Sequence, residues 1–122
     1  MTAARARLEA LLESQGETAL LRFSLGLSCR ADAPDVAIAH LHRAVELDAG
    51  YSAAWKELGR ILADHGHAEA ARDAFTRGIS VAEARGDIQA AKEMRVFLKR
   101  LRGADALPDA GADGSSIPPA SG

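Results

Sequence analysis

The feature that most constrains the fold of this chain is an internal repeat with a period of 34 residues. Arg43 recurs as Arg77 at that interval, within a pattern of small and large apolar residues that recurs with it. The matched apolar residues are Ala37, Leu41, Ala44 and Val45 in the first copy and Ala71, Phe75, Gly78 and Ile79 in the second. A period of this length indicates stacked units of secondary structure, each burying its apolar face against its neighbours.

Apolar residues within each copy recur at intervals of three and four, the spacing that places side chains on one face of an α-helix. Gly16, Pro34, Gly66 and Gly86 punctuate this pattern and mark the breaks between helices. The pattern predicts six helices, with boundaries near Gln15, Thr18, Pro34, Ser52, Asp64, Ala68, Ala84 and Gly86. No stretch alternates apolar and polar residues as a half-buried strand does. The sequence therefore predicts an all-α fold whose short connections make neighbouring helices antiparallel.

The composition favours a helical core and excludes several classes of function. Hydrophobic residues make up 48% of the 122 residues and aromatic residues only 4%, so the core must be mainly aliphatic. The net charge of −2 gives no overall attraction to nucleic acid or to an anionic membrane. The single cysteine, Cys29, excludes an internal disulfide and suits a reducing compartment. We expect it to pack as a small hydrophobe rather than to act as a reactive thiol.

The sequence does not predict export or membrane insertion. Arg5, Arg7 and Glu9 interrupt the N-terminal apolar stretch that a signal peptide would need. No apolar run approaches the roughly 20 residues that span a bilayer. We therefore expect a cytoplasmic protein with one helical domain over residues 1–102. Residues 103–122 are dominated by Gly, Pro, Ser, Asp and Ala, and we expect them to form a disordered tail.

The repeat resembles the tetratricopeptide repeat (TPR), a 34-residue pair of helices termed A and B. That family carries Trp-x-x-Leu-Gly on helix A and Ala-x-x-x-Phe-x-x-Ala on helix B. The second copy matches these positions with Trp55, Leu58, Gly59, Ala71, Phe75 and Gly78. The first copy matches with Leu25, Gly26, Ala37, Leu41 and Ala44, but has Arg22 in place of the Trp. The resemblance implies antiparallel helix pairs stacked as a short right-handed superhelix of about six helices.

The resemblance also divides the chain. It implies an N-terminal cap helix over 1–15, a first repeat over 18–51, a second repeat over 52–85 and a C-terminal cap helix over 86–102. Trp55 is then the wedge between the helices of the second pair. Gly costs about 0.5–1 kcal/mol relative to Ala inside a helix, so we expect Gly59 to allow close approach of a neighbouring helix.

The sequence contains no recognisable catalytic or cofactor-binding motif. Dinucleotide-binding, Walker-type, nucleophile-elbow and His-Glu-x-x-His patterns are all absent. His40 and His42 are two residues apart on a helix and cannot chelate one metal ion. Asp64, His65 and His67 surround a predicted turn, where polar residues are expected in any case. We therefore predict a non-catalytic protein with no cofactor and no metal site.

In the TPR family, ligands contact a concave face that is lined mainly by A helices. Carried onto this sequence, the partner-binding positions are Leu20, Phe23, Leu27, Arg30, Lys56, Arg60, Lys92 and Lys99. One end of the groove is then apolar and the other basic. Some members clamp a terminal carboxylate with Lys, Asn and Arg; Lys56 fits that pattern, whereas Arg60 replaces the usual Asn. The alternative is that both cations are solvated surface residues paired with Glu57 or Asp64.

These patterns predict an interaction module that binds a peptide or a segment of another protein, with an acidic or C-terminal group favoured. Residues 92–102 carry five cations and one acid, a net charge of 5 − 1 = +4, but lack aromatic stacking partners for nucleic acid except Phe97. A further hypothesis is that the tail, which carries Asp105, Asp109 and Asp113, folds back on the basic groove as a weak internal competitor. Two further alternatives stay open: self-assembly through the first and sixth helices, and a metal-binding or enzyme accessory protein. We expect a monomer or a weak homodimer.

Overall fold

The computed structural model of the chain describes residues 2–106. They form six α-helices, and no strand occurs within that range. The helices are α1 (Thr2–Gln15), α2 (Ala19–Cys29), α3 (Pro34–Leu47), α4 (Ser52–Asp64), α5 (Ala68–Arg85) and α6 (Ile88–Ala106). The predicted all-α fold is confirmed, and the predicted boundaries are met within a residue or two except at the end of α6.

The last helix continues four residues beyond 102, the predicted end of the helical domain. These residues, Gly-Ala-Asp-Ala, include two alanines, the strongest helix former, and the single Gly is not sufficient to stop the helix. Helix α6 therefore ends four residues later than the sequence predicted. The remainder of the predicted tail, 107–122, lies outside the described residues.

Local signals define the helix ends. The Thr18 hydroxyl accepts a hydrogen bond of 3.1 Å from the backbone N–H of Leu21 and so caps the start of α2. Pro34 opens α3 at a position where its missing N–H costs nothing. Gly66 and Gly86 adopt φ values of +84° and +76°, in the left-handed region where side chains cause strain. The chain can therefore reverse after α4 and α5.

The helices pack as a stack of pairs. Helix α2 packs against α3, α4 packs against α5, and α3 joins the two pairs through α4. Helix α1 contacts α2 at one end of the stack, and α6 contacts both α5 and α4 at the other. The predicted repeat residues are all buried: Leu25, Gly26, Ala37, Leu41, Ala44, Trp55, Leu58, Gly59, Ala71, Phe75 and Gly78. The core therefore follows the repeat from α2 to α5.

The glycines of the A helices mark the closest helix contacts. A Cβ atom added to Gly59 would lie 2.5 Å from the ring of Phe75. A Cβ atom added to Gly26 would lie 2.7 Å from Cγ of Leu41. Both separations are shorter than a van der Waals contact, so each A helix needs a glycine where the large residue of its own B helix crosses it. This supplies the packing reason expected for Gly59.

Trp55 and Arg22 occupy equivalent positions in the two repeats. The Trp55 side chain is 8% exposed, and its indole N–H donates a 2.8 Å hydrogen bond to the carbonyl oxygen of Ala49. A Cβ atom added to Gly78 would approach the Cβ of Trp55 to 2.8 Å, so the tryptophan packs closely on α5. It also lines a cleft with Val45 of α3. Trp55 thus contacts residues of both repeats, Ala49 of the first and Gly78 of the second, beyond the role within one pair that the sequence suggested.

Arg22 is held by polar partners instead. Its Nε donates a 3.0 Å hydrogen bond to Glu17, and its Nη1 donates a 3.0 Å hydrogen bond to Nδ1 of His40. Arg43 also binds Glu17, with N–O distances of 2.6–3.1 Å. The hydrogen bonds from Arg43 and then Arg22 lower the pKa of Glu17 to about 2. Burial, followed by the charge of Arg22, lowers the pKa of His40, so the neutral ring accepts the bond.

Candidate interaction surfaces

The three A helices, α2, α4 and α6, carry the predicted partner-binding residues, and α2 supplies the apolar end. Leu20 is 65% exposed, the highest value among the large hydrophobic side chains of the described region. Phe23 is half-buried, and its ring lies 4.9 Å from that of Tyr51. Leu27 is also half-buried. This end of the face therefore presents an exposed leucine beside an aromatic ring that the packing holds in place.

A shared carboxylate links α2 to α4. Glu57 accepts ion pairs from Arg30 at 3.4 Å and from Arg60 at 3.8 Å. The Glu57 side chain is only 14% exposed, whereas those of the two arginines are 53% and 48% exposed. The guanidinium groups therefore reach the surface. Arg60 pairs with Glu57 as the alternative interpretation expected, but at a distance that leaves the contact weak.

Lys56 faces α6 and already has a carboxylate partner. Its Nζ donates a 2.7 Å hydrogen bond to Oε1 of Glu93, and Gln89 donates a 3.2 Å hydrogen bond to Oε2. These hydrogen bonds, Lys56 first, hold the pKa of Glu93 below its usual value. The partner of Lys56 is therefore Glu93, rather than the Glu57 or Asp64 considered from the sequence. Any ligand carboxylate at Lys56 would have to compete with this pair.

A basic and aromatic cleft lies where the second half of α6 meets the end of α4. The guanidinium carbons of Arg60 and Arg100 lie 5.3 Å and 5.8 Å from the centre of the Phe97 ring. The Phe97 ring also stacks on the Phe75 ring, with 5.5 Å between the two ring centres. Both arginines lie within cation–π range of the Phe97 ring. The cleft has a volume of about 310 Å³, and Asp64 contributes an acid to its lining.

In the sequence, Phe97 stands out only as the one aromatic residue of 92–102, and Arg100 is one of the five cations there. Both contribute to this cleft because α6 packs beside α4, so their relation to Arg60 depends on the tertiary structure. The single signal in the sequence is the three-residue spacing of Phe97 and Arg100, which places them on one helix face.

Lys92 and Lys99 do not join Lys56. Both are exposed on α6, and neither has an ion-pair partner among the residues whose side chains are described. Lys99 lines a separate groove with Ile79, Leu98 and two arginines of α6. The eight predicted positions therefore fall into an apolar segment on α2, a paired network on α4 and two exposed lysines on α6.

The other candidates from the sequence occupy simpler environments. Cys29 is 2% exposed and lies within the hydrophobic core. His65 and His67 are exposed at the turn between α4 and α5. Among the side chains that the structure describes, no three His, Cys, Asp or Glu lie together as metal ligands would. No helix in the described part of the chain is both long enough and apolar enough to cross a membrane.

Two complete helix pairs, flanked by one helix at each end, place the protein in the class of helical repeat proteins. A TPR repeat-containing protein of Pseudomonas aeruginosa is 46% identical over 96 residues, which cover 77% of this chain and 90% of that protein. No family profile matches the sequence. The identity and coverage nevertheless show that the chain belongs to the TPR family.

Solved structures agree with this assignment. The solution structure of a Bordetella parapertussis protein superposes with a TM-score of 0.77 at 42% identity, covering 90% of this chain and 96% of that one. MamA superposes with a TM-score of 0.65 at 24% identity over 84% of this chain and 58% of the MamA chain, a likeness of fold alone. TPR proteins generally bind other proteins and act as non-catalytic scaffolds.

Proposed function

We propose that this protein is a non-catalytic interaction module that holds a segment of another protein along the A helices. The observation that carries the proposal is that the A helices present both an exposed apolar side chain and a basic cleft. Exposed Leu20 lies on α2, and the cleft around Phe97 lies between α4 and α6. An apolar anchor together with a charged site gives both affinity and orientation to a bound segment.

We further propose that the segment carries an acidic or C-terminal carboxylate that binds between Arg60 and Arg100. The planar fork of arginine binds carboxylates through two parallel hydrogen bonds, and Phe97 holds both guanidinium groups near its ring. Arg60 has only a weak contact with Glu57, whereas Lys56 is closely bound to Glu93. Lys56 therefore has a secondary role in this proposal, and Lys92 and Lys99 extend the positive charge along α6.

A selection experiment tests the carboxylate preference. Peptides with free C-termini are selected from a random library on the wild type and then measured on Arg60→Glu and Arg100→Glu. We expect enrichment of acidic side chains or terminal carboxylates, with affinity about tenfold lower on each variant, which corresponds to about 1.4 kcal/mol. Arg7→Glu is the matched control, since it makes the same charge change on exposed α1. Equal binding to the wild type and both cleft variants would contradict the proposed carboxylate site.

A second pair of variants tests the apolar end independently. Leu20→Glu should weaken every selected peptide without removing the preference for acidic groups, because the leucine lies on α2, away from the cleft. Val36→Glu is the control: Val36 is 47% exposed but lies on the B helix α3. Loss of binding in the control and in Leu20→Glu alike would show that the peptides do not use the A helices.

A further inference from the structure

A groove of about 300 Å³ runs between α1 and α2. Its lining contains four leucines and no charged side chain: Leu8, Leu11, Gln15, Gly16, Thr18, Leu20, Leu21 and Ser24. Leu11 is 40% exposed and Leu20 is 65% exposed, so the groove is both apolar and open. No helix within residues 2–106 covers it.

The rest of the stack indicates what fits such a groove. In each complete repeat, the A helix covers its own B helix and is linked to the next A helix, by helix packing in one repeat and by an ion pair in the other. Helix α4 packs on both α5 and α6. Helix α2 packs on α3 and reaches α4 through the pair between Arg30 and Glu57. Helix α1 takes the place of a B helix, and α2 is the A helix that follows it. The A helix that would cover α1 and contact α2 is not found among the described residues.

Leu8 specifies a requirement for the covering helix. The A helices cross their B helices with a glycine: Gly26 lies over Leu41 and Gly59 lies over Phe75. Leu8 precedes Leu41 by 33 residues, close to the repeat period of 34, and it lies in the groove lining. Leu8 is thus the B-helix residue over which a glycine or alanine would have to lie.

We propose that the α1–α2 groove is a docking site for an amphipathic helix of a partner protein. The bound helix has an uncharged apolar stripe and a small residue over Leu8. An amphipathic helix in an apolar groove is a recurrent mode of recognition, in which three- and four-residue spacing sets the contacts. This proposal shares Leu20 with the concave-face proposal, but it is tested at Leu11 of α1, which lies outside the A helices.

A second copy of this chain is a poorer occupant. Among the helices of residues 2–106, α6 alone is an A helix without a B helix of its own, and its Met94 is fully buried as Leu58 is in α4. The residue after Met94 is Arg95, at the place of Gly59, and it forms an ion pair with Glu83. A half-exposed arginine there would keep α6 away from Leu8 of another copy. The glycine faces of α2 and α4 are already covered by their own B helices.

The experiment uses the sequence of α4 as the probe, since it is an A helix with the required glycine. A synthetic peptide of residues 51–65, held helical by a covalent bridge across its polar face, is titrated into the full chain. We expect it to bind and to shift the amide signals of Leu8, Leu11 and Leu21. Leu11→Glu should weaken binding at least about tenfold, a loss of about 1.4 kcal/mol. Val36→Glu, at a similarly exposed position on α3, should bind as the wild type does.

A second peptide isolates the small-residue requirement. The same bridged peptide with Gly59→Leu should bind at least about tenfold more weakly, because its side chain would collide with Leu8. Absence of binding by the glycine peptide, or binding unaffected by Leu11→Glu, would overturn the proposal; the latter would mean that the peptide replaces α4 in its own repeat. Wild-type dimers that Leu11→Glu converts to monomers in sedimentation would assign the groove to a second copy instead. Circular dichroism of Leu11→Glu confirms that the variant is folded.

Discussion

At the position where the second repeat buries Trp55, the first repeat carries Arg22. Trp55 is buried against α5, and its indole N–H bonds to Ala49 of the first repeat, so it links the two repeats. Arg22 reaches Glu17 and His40 through hydrogen bonds and remains partly exposed. The same place in the helix pair is thus filled by apolar burial in one repeat and by a polar network in the other.

The difference shows that the repeat fold requires a side chain of sufficient reach at this position, and that its chemistry can vary. The two solutions differ in their energetics. Burial of a large aromatic side chain contributes several kcal/mol that salt does not screen. Partly exposed ion pairs contribute about 0–1 kcal/mol and weaken as the salt concentration rises. The second repeat should therefore be the more stable of the two.

The largest expected effect is that of Trp55→Ala. Removing the indole from its buried site should lower the free energy of unfolding by about 3–5 kcal/mol. Urea denaturation followed by circular dichroism measures the change. Arg22→Ala, at the equivalent position, is the comparison and should cost about 1 kcal/mol. Equal losses in the two variants would remove the distinction between the repeats.

The next largest effect is expected at the glycine contacts. Gly59→Ala should destabilise by about 1–3 kcal/mol, because its new methyl group meets the rigid ring of Phe75. Gly26→Ala should cost less, since the flexible side chain of Leu41 can move away. Gly103→Ala is the control: nothing lies within 4 Å of its added Cβ, so the higher helix propensity of alanine should stabilise α6 slightly. A larger loss of stability for Gly26→Ala than for Gly59→Ala would contradict the expectation that Leu41 moves aside more easily than Phe75.

A smaller effect, the dependence of stability on salt concentration, should distinguish the polar network of Arg22 from the apolar burial of Trp55. The destabilisation caused by Arg22→Ala should shrink between low salt and 1 M NaCl, where the screening length is about 3 Å. The destabilisation caused by Trp55→Ala should change little over the same range. Thermal unfolding of the three proteins at both salt concentrations measures the difference. A salt-independent loss for Arg22→Ala would indicate that packing of its aliphatic stem dominates.

The smallest expected effect is a dependence on pH. The folded pKa of Glu17 is about 2, below its ordinary value of 4.5. A depressed carboxyl pKa contributes stability that is present above the ordinary value and is lost as the pH falls from about 4.5 towards about 2. Glu17→Gln should lack this acid-dependent loss. Glu13→Gln is the control, because exposed Glu13 has no ion-pair partner within the described side chains and should follow the wild type.

Much of the fold was predictable because its signals are local. The periodicity of apolar residues predicted the helices, and Pro34 and Gly66 marked two of the breaks between them. The end of α6 was missed because the composition of 103–122 as a whole obscured the helix-forming alanines at its start. The equivalence of Trp55 and Arg22 was also visible, but not how Arg22 is held, since His40 lies 18 residues away in sequence.

The candidate sites were less predictable, because charge pairing depends on distances across the stack. Lys56 was recognised as a groove residue, yet only the packing of α6 on α4 places it against Glu93, 37 residues further along. The same packing places Phe97 and Arg100 beside Arg60. The sequence predicted a cap helix over 1–15, and only the exposure of its leucines in the stack reveals an open groove.

The sequence by itself determined the helices, the repeat and the positions of the close contacts. These follow from helical periodicity and from the volume of side chains at fixed spacing. The tertiary structure alone decided which cations are neutralised, which aromatic ring has two arginines close to it, and which B–A groove is left uncovered by the described helices. Those properties depend on how neighbouring helices are placed, to within an ångström or two. A short-range pattern along the chain does not specify that placement.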